Sequence, residues 1–210
     1  MWPPCSTPSC EGSRTTEVAP EGIEVVSDEG VPVQVSRRES SEEGRVRLYE
    51  QVRAVPYATD GAHDGESLLV VGRGDCLAKA GYLLAGLRAQ GLVARPVRWL
   101  YLLPPRPDEV YGLRSREDVH TAVEVWLAGR WVMVDATFDP PLAAAGFTVG
   151  QWDGATDTAP ACEPAGPLWR PGEGPPPMPR GHGTGPDPGG PAYRTAFNRW
   201  LRDVRAAGEA

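Results

Sequence analysis

A cysteine, a histidine and an aspartate are the residues of this sequence whose types and positions suit covalent chemistry. Cys76 stands in "GRGDCLAKAGYLL" (72–84), directly after a glycine-rich turn and directly before a helical pattern. A thiolate attacks a carbonyl where a thiol does not, and the unpaired amides of a helix N-terminus present partial positive charge that favours the thiolate. The same amides can hold the oxyanion that attack creates. The competing reading is that Cys76 merely packs, since free cysteine is among the most buried residue types.

A nucleophilic cysteine needs a base, and the chain holds three histidines, His63, His120 and His182. His182 lies in the low-complexity "RGHGTG" and His63 in the Gly/Asp-rich "TDGAHDGES", where neither ring would be held rigidly. His120 opens the strand pattern "HTAVEVWL", which fixes its ring. Enough chain separates it from Cys76 for a helix and one strand to intervene. A hairpin that starts at His120 and returns through "RWVMVD" brings Asp135, at its end, beside the imidazole. A carboxylate there orients the ring and stabilises its charged form. The bland alternative is a structural histidine and an aspartate that only ends a strand.

These three side chains depend on the elements that carry them. Val46, Tyr49 and Val52 at helical spacing, with Ser40 and Glu43 as a capping box, predict a helix over 41–54 ended by Pro56. Leu77, Ala80, Leu83, Leu84 and Leu87 form the stripe of a central buried helix that Gly91 stops. Strand patterns follow at 92–103, 120–127 and 130–135, the last two joined by Ala128-Gly129, the strongest hairpin signal in the chain. Upstream, two β-branched runs in 22–38 suggest a strand pair. The long charged loop 104–118 is of the kind that borders sites, and its Arg114 and Arg116 could hold a substrate carboxylate. Trp152 in "QWDG" could close one side of a cleft, although core packing explains it as well.

Composition sets the limits. The chain has 210 residues, 40% of them hydrophobic, which suits one core-forming domain. The 25 glycines and 23 prolines gather toward the ends, so residues 1–21 read as a disordered tail, 22–160 as the domain, 161–191 as a Pro/Gly-rich linker and 192–207 as an amphipathic helix. A net charge of −7 repels a phosphate backbone and makes nucleic acid a poor partner. No stretch is long and apolar enough to span a bilayer and no export signal opens the chain, so a membrane partner is not expected and the location is read as cytoplasmic. Four cysteines in a reducing compartment are read as free thiols, Cys5 and Cys10 idle in the tail and Cys162 without a role. No acidic cluster at calcium-loop spacing is present, so no cofactor or metal is expected.

The segments around the three candidates resemble a known family. "GRGDCLAKAGYLLAGLRAQGLVARPV" (72–97) is similar to the cysteine segment of the transglutaminase-like superfamily, and "HTAVEVWLAGRWVMVDATFDP" (120–140) to its His and Asp-x-Thr segments. "RLYEQVRAVPY" (47–57) resembles the helix that precedes the cysteine, and "FDPPLAAAGFTVGQWDG" resembles bacterial members whose domain continues past Asp-x-Thr. The resemblance covers about 45–155. It implies an α+β fold of papain-like, transglutaminase type, with a Cys-bearing central helix on an antiparallel sheet. It also implies Cys76 as nucleophile, His120 as base and acid, and Asp135 as orienting carboxylate. The expected reaction is cleavage or transfer of an acyl group from a peptide, protein or glutamine-type amide through a thioester, with water or an amine as acceptor. The alternatives are an arylamine N-acetyltransferase-like acyltransferase and a non-catalytic interaction domain. Two departures, Ala122 in place of an aromatic residue and "LAKA" after Cys76, bear on which acyl group is accepted.

Overall fold

The computed structural model describes residues 41–106, 112–113, 115–179 and 190–208. The tail at 1–21 and the strand pair expected at 22–38 lie outside the described residues. The fold is α+β, with helices packed on a three-stranded antiparallel sheet.

Helix α1 (Glu42–Ala54) begins at Ser41, whose hydroxyl accepts the Gly44 amide at 3.1 Å, so the cap sits one residue beyond the Ser40 that the capping-box pattern suggests. Its apolar face buries Leu48, Tyr49 and Val52 against helix α3 (Cys76–Ala89). The two helices meet closely at Gly86, where a Cβ would stand 2.6 Å from a Leu48 methyl. Between them run a short strand, β1 (Tyr57–Ala62), and one helical turn, α2 (Leu68–Val71), neither of which has a clear sequence pattern. On α3, Ala80, Leu83 and Leu87 are buried as the stripe predicts, while Leu77 faces outward and Lys79 is fully buried in its stead.

Strands β2 (Ala94–Leu102), β3 (Glu117–Leu127) and β4 (Arg130–Val134) lie in that order, with β3 in the centre. The β3–β4 turn is the one expected: Ala128 at φ 48° and Gly129 at φ 82° take the two left-handed positions of a tight hairpin. Trp126 and Trp131 pair across its base. Val123 and Val125 bury into the core shared with α1 and α3. Alternate residues point to opposite faces, and Ala122 accordingly joins Val97 and Trp99 in a second core with Tyr193, Phe197 and Leu201 of helix α4 (Pro191–Gly208). Arg205 of α4 grips Asp139 through two 2.7 Å hydrogen bonds and also donates to the Tyr57 carbonyl.

Residues 165–169, part of the stretch that composition reads as linker, run along the outer edge of β2. Trp169 and Arg98 exchange both backbone hydrogen bonds, the Ala165 amide donates to the Leu100 carbonyl, and Arg170 binds Glu124. An edge strand needs only a few partners for its open amides and carbonyls, and a proline-interrupted segment supplies them without the periodicity that marks a strand.

Candidate active site

Cys76 is the first residue of α3. The preceding Asp75 caps the helix by accepting the Ala78 amide at 3.0 Å. Its other carboxylate oxygen bonds to His63, so the ring that the sequence leaves loose is tied to the residue next to the cysteine. The Cys76 sulfur is nearly buried and lies 4.0 Å from the Val119 carbonyl, one residue before His120 on β3.

His120 and Asp135 are brought together as the hairpin register requires, with His120 Nε2 2.8 Å from Asp135 Oδ2 and both side chains buried. The Trp99 ring, directly opposite in the β2–β3 register, packs 4.7 Å from the imidazole. The Asp135 carboxylate also accepts the Ala161 amide at 2.8 Å and the Thr137 amide at 3.2 Å, its backbone amide donates to the Thr158 hydroxyl at 2.9 Å, and its carbonyl accepts the Tyr49 hydroxyl at 3.3 Å. Burial opposes charge on both partners. The Cys162 sulfur and the Asp135 carboxylate nevertheless hold the imidazole pKa well above its usual value, and the His120 charge and the hydrogen bonds hold the Asp135 carboxyl below its own.

Cys162, a residue to which the sequence gives no role, lies near enough to interact electrostatically with the imidazole. Its carbonyl accepts the Trp99 indole N–H at 2.9 Å, and burial pushes its thiol pKa up. No periodicity or motif marks Cys162, because its place depends on the edge segment folding back over β2. Among the described residues, Cys76 makes no hydrogen bond to the imidazole.

Cys76 opens onto a cavity of about 330 Å³ at the N-terminus of α3. Val119 and Thr121 of β3, Tyr193 of α4 and Met178 of the edge segment help to wall it. A second cavity of about 430 Å³ lies on the Cys162 side and shares Tyr57, Tyr101 and Phe197 with the first. Of the other sequence candidates, Arg114 lies outside the described residues. Arg116 donates to the Leu103 carbonyl at 2.6 Å and does not line the Cys76 cavity. Trp152 packs against Tyr49 in the α1–α3 core and donates to the Thr156 carbonyl. Among the described residues no group of acidic, His or Cys side chains could hold a metal, and no helix is long and apolar enough to cross a membrane.

Comparison with curated proteins gives no match. Among solved structures, the chain is similar to a crystal structure from Cytophaga hutchinsonii that is provisionally described as a cysteine protease. The identity is 20%, the TM-score is 0.37, and the match covers 49% of this chain and 34%, about a third, of that one. The model of the transglutaminase-like superfamily matches residues 31–136, a stretch that carries the Cys76 helix, the His120 strand and Asp135. A match over half of the chain, centred on these segments, means that this protein belongs to the transglutaminase-like superfamily, a family of cysteine enzymes.

Proposed function

We propose that the protein cleaves or transfers the acyl group of an amide, with Cys76 as nucleophile, His120 as base and acid, and Asp135 orienting the imidazole. The observation that carries this reading is a cysteine at a helix N-terminus, open to a cavity, beside the strand whose histidine is buried against a carboxylate. Asp75 already takes the Ala78 amide, which leaves the Cys76 and Leu77 amides of the first turn for an oxyanion. The thiolate adds to the substrate carbonyl, forming the S–C bond and moving the C=O electron pair onto oxygen. Collapse breaks the C–N bond, and the departing amine takes its proton from the His120 imidazolium. Water or an amine then gives a proton to His120 and attacks the thioester, releasing the Cys76 thiolate. Contacts between base and nucleophile are commonly long in an unliganded site and tighten when substrate binds.

A second reading has Cys162 as the nucleophile, because its sulfur interacts electrostatically with the imidazole. Against it stand the absence of a helix N-terminus and the burial that pushes this thiol's pKa up. Intact-protein mass spectrometry after incubation with para-nitrophenyl acetate distinguishes the two. The acetyl adduct is expected to vanish in Cys76→Ala, to persist in Cys162→Ala and to form about 10²–10⁴-fold more slowly in His120→Ala. An adduct that survives Cys76→Ala and is lost in Cys162→Ala would overturn the assignment.

A further inference from the structure

The carboxylate of Asp75, next to Cys76 in the chain, is shared between two donors. As the N-cap of α3 it accepts the Ala78 amide on Oδ1 at 3.0 Å, and His63 Nδ1 lies 2.5 Å from its Oδ2. A carboxylate only accepts, so Nδ1 carries a proton and is the donor, whether the ring is neutral or charged. An N-cap side chain ordinarily bonds the amide of the second or the third helical residue. In α3 these are Leu77 and Ala78, and the third alone is taken. Among the described residues, no acceptor takes the Leu77 amide.

The backbone fixes His63 where its ring can do this. Ala62, the last residue of β1, donates its amide to the Arg73 carbonyl at 2.9 Å and accepts the Asp75 amide at 3.1 Å. The residue before His63 is therefore bonded to the residue whose side chain His63 holds. Two positions after His63, Gly65 lies so close to α3 that a Cβ would stand 2.5 Å from the Tyr82 backbone nitrogen. The ring hangs from the short stretch between these two anchors, so a segment that is loose by composition becomes rigid by attachment. Its side chain is 50% exposed and belongs to neither hydrophobic core, so the packing of the domain does not depend on it.

We propose that His63 is a positioning residue for the reaction at Cys76: by holding Asp75 Oδ2, it keeps that carboxylate off the Leu77 amide, which stays open to the oxyanion. This inference rests on Cys76 as the nucleophile. Asp75, Cys76 and Leu77 all line the Cys76 cavity, so the carboxylate and the developing oxyanion draw on the same first turn. An Oδ2 released by loss of the ring has the Leu77 amide as its ordinary capping partner. The oxyanion then competes with a full negative charge for a donor that the ring otherwise reserves for it.

The test compares two reactions of the same sulfur in the full chain, each followed by mass spectrometry at Cys76. Para-nitrophenyl acetate acylates it by an attack that puts negative charge on the carbonyl oxygen. Iodoacetamide alkylates it by displacing iodide, and no such charge forms. Loss of one oxyanion donor slows acyl transfer about 10²–10³-fold, and competition for that donor costs part of this, so His63→Ala is expected to lower the ratio of acylation to alkylation at least about tenfold. A variant that misplaces Cys76 or folds poorly slows both reactions and leaves the ratio in place. Asp75→Ser keeps one capping oxygen for the Ala78 amide and has no second oxygen to compete. Adding His63→Ala to Asp75→Ser is therefore expected to leave the ratio within about twofold of that in Asp75→Ser alone. An unchanged ratio in His63→Ala, or the same fall in the Asp75→Ser background, would overturn the positioning role while leaving Cys76 as the nucleophile. A wild-type Cys76 that alkylates without acylating would overturn both readings together.

Discussion

At the scale of single residues, the His120–Asp135 pair is the tightest constraint on the site. Removing one partner of a buried pair leaves the other without compensation, at a typical cost of about 3 kcal/mol or more. The pH dependence follows from the two directions. His120 has its folded pKa raised, so its contribution is complete below the unfolded value of about 6.5 and is lost as pH climbs through the folded one. Asp135 has its folded pKa lowered, so its contribution is present above the unfolded value of about 3.9 and is lost as pH falls through the folded one. Asp135→Asn is therefore expected to lower stability most between those limits. Urea unfolding at pH 5 would register a loss of about 3 kcal/mol, and a loss that stayed the same at every pH would contradict an ionic pair.

At the scale of elements, α4 is fixed by polar clamps as well as by its apolar face. Asp139 is 2% exposed and receives both Arg205 hydrogen bonds, and Asn198 exchanges hydrogen bonds with the Thr59 backbone and hydroxyl. Because Tyr193 and Phe197 of the same helix wall the Cys76 cavity, loosening α4 alters the site as well as the fold. Arg205→Ala strands a buried carboxylate and is expected to cost about 2–4 kcal/mol. Hydrogen exchange in that variant would show early opening of 191–208 while α1 and α3 stay protected; uniform opening would mean that the helix is no separate unit.

At the scale of the whole molecule, Lys79 shapes how stability varies with pH. It is 1% exposed, donates to the Val55 carbonyl at 2.7 Å and the Arg53 carbonyl at 3.3 Å, and burial lowers its pKa to about 7. The unfolded chain holds this proton up to about 10.4, whereas the folded protein releases it near 7. In that window the unfolded state binds more protons, so the Lys79 contribution makes stability rise with pH. Lys79→Met removes this contribution and is expected to flatten the curve above neutral pH. Thermal unfolding from pH 7 to 10 in the two proteins measures it, and an unchanged slope would show that the ammonium is paired or solvated in the native state.

Much of this arrangement is written in local order. The α3 stripe, the Ala128-Gly129 turn and the strand alternation each report a backbone period, so the sequence alone determined the Cys76 helix, the hairpin and the pairing of His120 with Asp135. What lies across long separations was decided only in the tertiary structure. Cys162 meets His120, and Trp169 pairs with Arg98, because an edge strand offered open hydrogen bonds to whatever chain could reach them. Arg116, by contrast, is taken up by the Leu103 carbonyl, because a guanidinium beside a strand end finds backbone oxygen before it finds a substrate.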